Sequence, residues 1–318
     1  MKKNILITGG AGFIGSNLVE ALLNDERVGL VRVLDNLSNG YYDNIKEFVG
    51  NPNFEFIEGD IRDFDTCLKA MDGIHAISHQ AALGSVPRSI ADPLLSNAVN
   101  VGGTLNVQYA AVQQKVKRIV MAFSSSTYGD SKELPKVEEK IGNPLSPYAV
   151  TKYTNELYAS VFARTYNLNF VGLRYFNVFG PKQSPDNPYA AVIPLFCKAF
   201  LEDKNPTING DGETSRDFTY VDNAVQANIK GLFTENEAAL NQVYNVACGE
   251  QTTLNEMISI LQKVSGKNLR ANYAAERVGD VKHSLANINK IKSLLEYEPS
   301  VYFKNGLEKV FNWYRLEK

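Results

Sequence analysis

Across its first half the chain alternates short apolar runs with longer stretches whose apolar residues recur every three or four positions. The short runs are Ile5–Thr8, Val31–Asp35, Phe54–Glu58, Ile74–His79, Arg118–Ser124 and Phe170–Arg174. Rich in β-branched residues and bounded by polar turns, they predict six strands. Ile14 to Leu23 carries helical periodicity, and so does Leu94–Gln114, where Leu94, Ala98, Val101 and Leu105 advance by three- and four-residue steps. Ser146 ahead of Pro147 predicts an N-cap and a first helical residue for a helix reaching about Tyr166. This alternation is the signature of a doubly wound α/β fold, a parallel sheet covered on both faces. After Gly180 the rhythm breaks. Pro181, Pro185, Pro188 and Pro194 cluster there, followed by helical patterns at Asn223–Phe233, Leu254–Ser265, Ile288–Leu295 and Gly306–Tyr314. A smaller, less regular α/β C-terminal lobe is expected.

Composition narrows the function classes. With 318 residues the chain has room for one large domain and a lobe. Its 35 acidic residues against 33 Lys plus Arg leave no basic footprint for nucleic acid. Cys67, Cys197 and Cys248 lie far apart with no CxxC spacing, and His75, His79 and His283 are scattered, so neither a disulfide framework nor a metal site is expected. The opening apolar run stops at Thr8-Gly9-Gly10, too short for a signal-peptide core of roughly 7–15 residues. No apolar stretch approaches the roughly 20 residues of a membrane span. The pattern predicts a soluble protein of a reducing, cytoplasmic compartment.

Gly9, Gly12 and Gly15 fall between the first strand and the first helix with GxxGxxG spacing. Glycines there permit a tight turn, close approach of a pyrophosphate and close helix–strand packing, with the anion at the helix N-terminus. Alone the triplet is equally a plain strand–helix turn. Asp35 ends the second strand at about the 20-residue offset of a ribose-binding carboxylate. Asn36-Leu37-Ser38-Asn39-Gly40 supplies no cation for a 2′-phosphate, which favours NAD over NADP. Asp60, after the third strand, is placed to accept from an adenine amino group, though Gly59-Asp60 is also ordinary turn chemistry.

Tyr148 and Lys152 form YxxxK near a helix start, so phenol and ammonium share a face. A nearby positive charge favours phenolate and makes a usable base of a group with pKa around 10. Taken alone the pair is commonplace. Ser124, Ser125 and Ser126 follow the fifth strand, at the carboxyl end where open α/β sheets bind ligands, and their hydroxyls suit a substrate oxygen.

With these features the chain resembles the extended short-chain dehydrogenases/reductases, and within them the nucleotide-sugar 4-epimerases, closest to bacterial UDP-N-acetylhexosamine 4-epimerases. The supporting segments are His79–Ser89, Leu173–Gly180 and Asn209–Phe218. The resemblance implies a Rossmann domain of residues 1–176 plus about 217–247, and a substrate domain of about 177–216 plus 248–318. It implies NAD contacts from Gly9, Gly12, Phe13, Ile14, Gly15, Asp35, Asn36, Ser38, Gly40, Asp60, Ile61, Gln80, Ala81, Ala82, Asn100, Tyr148, Lys152, Tyr175 and Val178. It implies a sugar-nucleotide site from Ser85, Val86, Arg88, Ser124, Ser126, Tyr148, Asn177, Ala191, Val192, Asn209, Arg216, Arg277, Asp280 and Ser284. Tyr148 is then the proton acceptor at O4, with Lys152 and the serines beside it, and NAD carries the hydride and is regenerated each cycle. A homodimer through the helices at about Leu94–Gln114 and Tyr148–Tyr166 is also implied, while packing on the sheet explains their amphipathicity equally well.

Related chemistries are separated by single positions. The 4,6-dehydratases of this superfamily carry an Asp-Glu pair where Ser125 and Ser126 stand, and the decarboxylases a Glu in the same segment; a serine cannot replace either carboxyl group. A non-catalytic NAD-binding protein would be expected to lack Tyr148 or Lys152, and an alcohol dehydrogenase would accumulate NADH. Ser284 falls where glucose/galactose-specific enzymes tend to carry Tyr, so the resemblance implies UDP-GlcNAc/UDP-GalNAc as substrate. A uronate remains the alternative.

Overall fold

The computed structural model describes residues 2–186, 191–276 and 282–316. In chain order the first half runs β1 (Lys3–Thr8), α1 (Phe13–Leu23), β2 (Val28–Asp35), β3 (Phe54–Glu58), α2 (Phe64–Ala70), β4 (Ala76–His79), α3 (Val86–Ala91), α4 (Pro93–Asn97), a π-helical turn (Ala98–Gly103), α5 (Thr104–Gln113), β5 (Arg118–Ser124), α6 (Pro147–Tyr166) and β6 (Asn169–Tyr175). Then follow β7 (Val178–Phe179), α7 (Val192–Leu201), β8 (Thr207–Asn209), β9 (Ser215–Arg216), β10 (Thr219–Tyr220), α8 (Val221–Phe233), β11 (Gln242–Val246), β12 (Thr252–Thr253), α9 (Leu254–Ser265), β13 (Asn272–Ala274), α10 (Asn289–Leu295) and α11 (Phe303–Leu316).

Seven strands form one parallel sheet in the order β11-β6-β5-β4-β1-β2-β3. Successive strand residues point to opposite faces, and the two cores divide accordingly. Ile5, Ile7, Val31 and Val33 join Leu18, Val19 and Leu232 of α1 and α8, whereas Leu6 and Leu34 join Cys67, Val107 and Phe162 of α2, α5 and α6. The order reverses between β1 and β4, the switch point where such sheets bind ligands. Register aligns the carboxyl ends there: Thr8 pairs with Leu34 and His79, and Ser124 with Tyr175.

The six predicted strands are present, two of them, β3 and β5, with the predicted ends. The seventh, β11, was not anticipated; Gln242–Val246 is a short run far from the first half's rhythm, and it pairs with β6 only because α8 carries the chain back. The predicted helix over Leu94–Gln114 is present and continuous, running from α4 through the π turn into α5. Gly103 lies so close to Ile61 that an added Cβ would come within 2.6 Å of its side chain, and Asn100 is anchored outside the helix. The second lobe is built from α7, α9 and α11 with the two-stranded pairs β8–β13 and β9–β12. No helix among the described residues is long and apolar enough to cross a membrane.

Candidate functional site: a dinucleotide cleft beside Tyr148

The carboxyl ends of the central strands open into a cleft of about 390 Å³. Gly9, Gly12, Phe13, Ile14, Gly15, Asp35, Asn36, Ser38, Gly40, Asp60, Ile61, Gln80, Ala81, Ala82, Tyr148, Lys152, Tyr175 and Ala191 line it, bringing most of the predicted residues together. The glycine turn is steric in origin. Gly9 has φ +73°, and a Cβ on Gly15 would lie 2.1 Å from Gly9 O. Gly12 is the N-cap of α1 and no side chain caps that helix, so its first N–H groups remain for an anion.

Asp35 is buried at the cleft edge. Its Oδ2 accepts from Ala11 N and its Oδ1 from Leu37 N, both at 2.9 Å. Burial raises its pKa, and these two bonds oppose the rise. Asp60 accepts from Arg62 and from Asn36 Nδ2, at 2.8 Å for the latter, and the Arg62 guanidinium holds its carboxyl down at about 2. It stays an anion throughout the physiological range.

Tyr148 is the second residue of α6, and that helix start is held three ways. Ser146 Oγ accepts from Ala149 N at 3.1 Å, the capping role expected of it. Ser89 Oγ, fully buried, accepts from Tyr148 N at 3.0 Å and donates to Val86 O. Thr151 Oγ1 donates to Tyr148 O and accepts from Asn100 Nδ2. The Ser124 side chain is the phenol's polar neighbour. Burial raises the phenol's pKa and the Ser124 side chain opposes the rise. Lys152 Nζ donates to Ala122 O at 2.7 Å and lies 5.9 Å from the Tyr148 ring centre, held by the β5 backbone rather than by the phenol. Burial brings Lys152 itself down to about 8.

Ser124 caps the turn after β5 by accepting from Ser126 N, and Ser125 is half-buried beside it. Ser126 Oγ is buried with no hydrogen-bond partner among the described residues, a polar atom still to be satisfied. His79 is no base: it bridges Thr8 and Thr104 hydroxyls at 2.6 and 2.8 Å, and burial with the Lys152 charge pushes it down to about 3.

Two predicted cofactor contacts stand outside the cleft. Asn100 is fully buried, with its amide spent on Leu83 N, Leu83 O and Thr151. It shapes the wall by fixing the loop through Leu83. Val178 pairs with Thr219 in the β7–β10 ribbon. Among the predicted substrate residues, Ser85 caps α3, Val86 is exposed, and Arg88 donates to Asn39 across the cleft rim. Asn177 takes φ +39° and donates to Asp217 O, and Val192 opens α7. Asn209, Arg216 and Ser284 belong to the second lobe: Asn209 ends β8, while Arg216 and Ser284 meet around Ser215. Arg277 and Asp280 lie outside the described residues.

Sequence reasoning missed Lys182, Gln183 and Ser184, which line the cleft after β7. Lys182, at φ +67°, reaches Glu20 and Glu47 at 3.4 Å. The proline cluster marked this segment as a lobe boundary, and nothing in its pattern says that it folds back. No cluster of metal-ligating side chains occurs among the described residues.

Residues 5–247 match the NAD dependent epimerase/dehydratase family. The chain belongs to that family. NAD is its cofactor, and the glycine cradle and strand-end carboxylate above fit a dinucleotide. A UDP-N-acetylglucosamine 4-epimerase from Methanobrevibacter ruminantium, solved with UDP-N-acetylmuramic acid, is 39% identical with a TM-score of 0.94 over 100% of both chains. A UDP-glucuronic acid 4-epimerase from Bacillus cereus, solved with UDP-glucuronic acid and NAD, is 33% identical with a TM-score of 0.92, over 99% of this chain and 100% of that one. The UDP-glucose 4-epimerase of Mycolicibacterium smegmatis is 34% identical over 98% of each chain.

Proposed function

We propose that this enzyme inverts C4 of a UDP-sugar through a 4-keto intermediate, with UDP-GlcNAc and UDP-GalNAc as its pair. The observation that carries the reading is the Tyr148 phenol lining the NAD cleft with the Ser124 side chain as its polar neighbour, and with Ser125 and Ser126 where an eliminating enzyme needs carboxyl groups. The relatives above support a UDP-sugar 4-epimerase and name three different sugars.

The glycine turn, Asp35, Gln80 and Tyr175 would hold NAD, which when bound would supply reversible hydride acceptance. Tyr148 takes the proton from O4 and returns it. Ser124, and Ser126 with its unspent hydroxyl, hold that oxygen as alcohol and as ketone. Lys152, fixed on Ala122 O, keeps a positive charge beside the phenol and supports the ionised form that burial alone disfavours. Arg216 and Arg277 are assigned to the diphosphate, whose oxygens suit paired guanidinium donors. Residues 1–176 with about 217–247 carry the cofactor, the rest carries the sugar nucleotide, and the enzyme works in the cytoplasm as a homodimer.

The test is to incubate the purified protein, without added NAD, with UDP-GlcNAc, UDP-glucose and UDP-GlcNAcA separately. Conversion of UDP-GlcNAc to its C4 epimer is expected, without accumulation of NADH. Ser284→Tyr should slow that pair at least tenfold and leave UDP-glucose within about threefold, the scale of a steric gate. Equal losses on both pairs, or faster turnover of the uronate, overturn the substrate assignment.

A further inference from the structure

Behind Gln80 and Tyr175 lies a second row of polar side chains that does not border the cleft. Ser78 on β4 and Asn228 on α8 are both fully buried. Asn228 Nδ2 donates to Ala224 O at 2.8 Å and to Tyr175 Oη at 2.7 Å. Asn228 Oδ1 accepts from Ser78 Oγ at 3.0 Å and from Gln80 Nε2 at 2.9 Å. Gln80 Nε2 also donates to Ser78 Oγ at 2.9 Å, and Tyr175 Oη donates to Gln80 Oε1 at 3.1 Å.

One backbone carbonyl sets every direction in this network. Ala224 O only accepts, so the end of Asn228 that faces it is the amino group. The Asn228 oxygen then faces Ser78 and Gln80, which turns the Gln80 amino group inward and its oxygen toward Tyr175. Tyr175 receives a proton from Asn228 and gives its own to Gln80. Six donor hydrogens meet six acceptor sites, and none is left over. What Gln80 and Tyr175 still offer the cleft is oxygen lone pairs. Burial moves the Tyr175 phenol up to about 12, so it stays a neutral donor to Gln80.

We infer that Ser78 and Asn228 are positioning residues that make the Gln80–Tyr175 wall an acceptor-only surface, selecting a hydroxyl or amide donor of the dinucleotide and turning its phosphates toward the glycine turn. This rests on the NAD reading of the cleft. A phosphate brings only acceptor oxygens and is repelled by such a wall, whereas a ribose hydroxyl or a carboxamide N–H is bound. A residue that merely filled space behind the wall would lower affinity without depending on what Tyr175 can do.

The test is a double-mutant cycle on dinucleotide affinity, measured by calorimetry on protein freed of its cofactor and refilled. Asn228→Leu and Tyr175→Phe should each weaken NAD by about tenfold, the scale of one lost hydrogen bond, and the double variant by little more than either. Where Asn228→Leu does not fold, Ser78→Ala takes its place in the same cycle. Repeating the cycle with nicotinic acid adenine dinucleotide tells the two donors apart. Coupling that vanishes names the carboxamide, and coupling that persists names a ribose hydroxyl. Effects that multiply to about a hundredfold, or a residue-228 variant that holds NAD as tightly as the parent, overturn the inference. A parent protein that takes up no NAD overturns the cofactor reading itself, before any variant is compared.

Discussion

The Tyr148 backbone is held from two separate stretches of chain, by Ser89 directly and by Asn100 through Thr151, while Ser124 favours ionisation of its phenol. Lys152 carries a consequence of its own. It is buried and its pKa falls from 10.5 to about 8. Below pH 8 the folded and unfolded chains both carry the proton. Between about 8 and 10.5 only the unfolded chain keeps it, so the burial cost is relieved and stability rises with pH across that window. The shift corresponds to on the order of 3 kcal/mol. For protein freed of its dinucleotide, the difference in urea midpoint between the parent and Lys152→Met should therefore change in the parent's favour from pH 7.5 to 9.5. A pH-independent difference would mean that the amine is not desolvated. The YxxxK spacing made the pair legible, because four residues place both on one helix face. It did not show where the lysine ends, because a long flexible stem reaches the Ala122 carbonyl as readily as the phenol.

At the scale of elements, the glycine turn was readable because sterics restrict it so tightly. Gly15→Ala puts a Cβ 2.1 Å from Gly9 O and 2.8 Å from Gly10 Cα, so the turn must open. The variant should lose about 1–3 kcal/mol of stability and be purified without its dinucleotide, read by melting and by absorbance after heat release. Gly102→Ala, with nothing within 4 Å of an added Cβ, is the control and should change neither. The π turn inside the Leu94–Gln114 helix was not readable, since apolar spacing continues across it. Its cause is tertiary: Asn100 is anchored to Leu83, and Gly103 lies against Ile61. A π turn beside a ligand cleft is a common arrangement. The strand β11 stayed hidden for a similar reason, its partner β6 being some seventy residues earlier in the chain.

At the scale of the molecule, the amphipathic helices left packing on the sheet and pairing with a second copy as alternatives. The structure shows a face that the sheet does not cover. Val150, Leu157 and Val161 recur along α6 with solvent exposures of 51%, 52% and 43%, beside exposed Tyr109 of α5 and Leu94 of α4. A contiguous apolar stripe of this kind suits a partner helix pair. On the proposed homodimer, the parent should sediment as a dimer and Leu157→Glu with Val161→Glu as a folded monomer; an unchanged mass would contradict pairing through this face.

The most direct test of the chemistry follows a label at C4. Substrate deuterated at C4 should be converted by protein without added NAD into the epimer with its deuterium still at C4, seen by proton NMR and mass spectrometry. The account predicts full retention, because the hydride leaves C4 and returns to it within the same cleft while only the O4 proton passes through Tyr148. Loss of deuterium to solvent, or a product that has lost water, would contradict it.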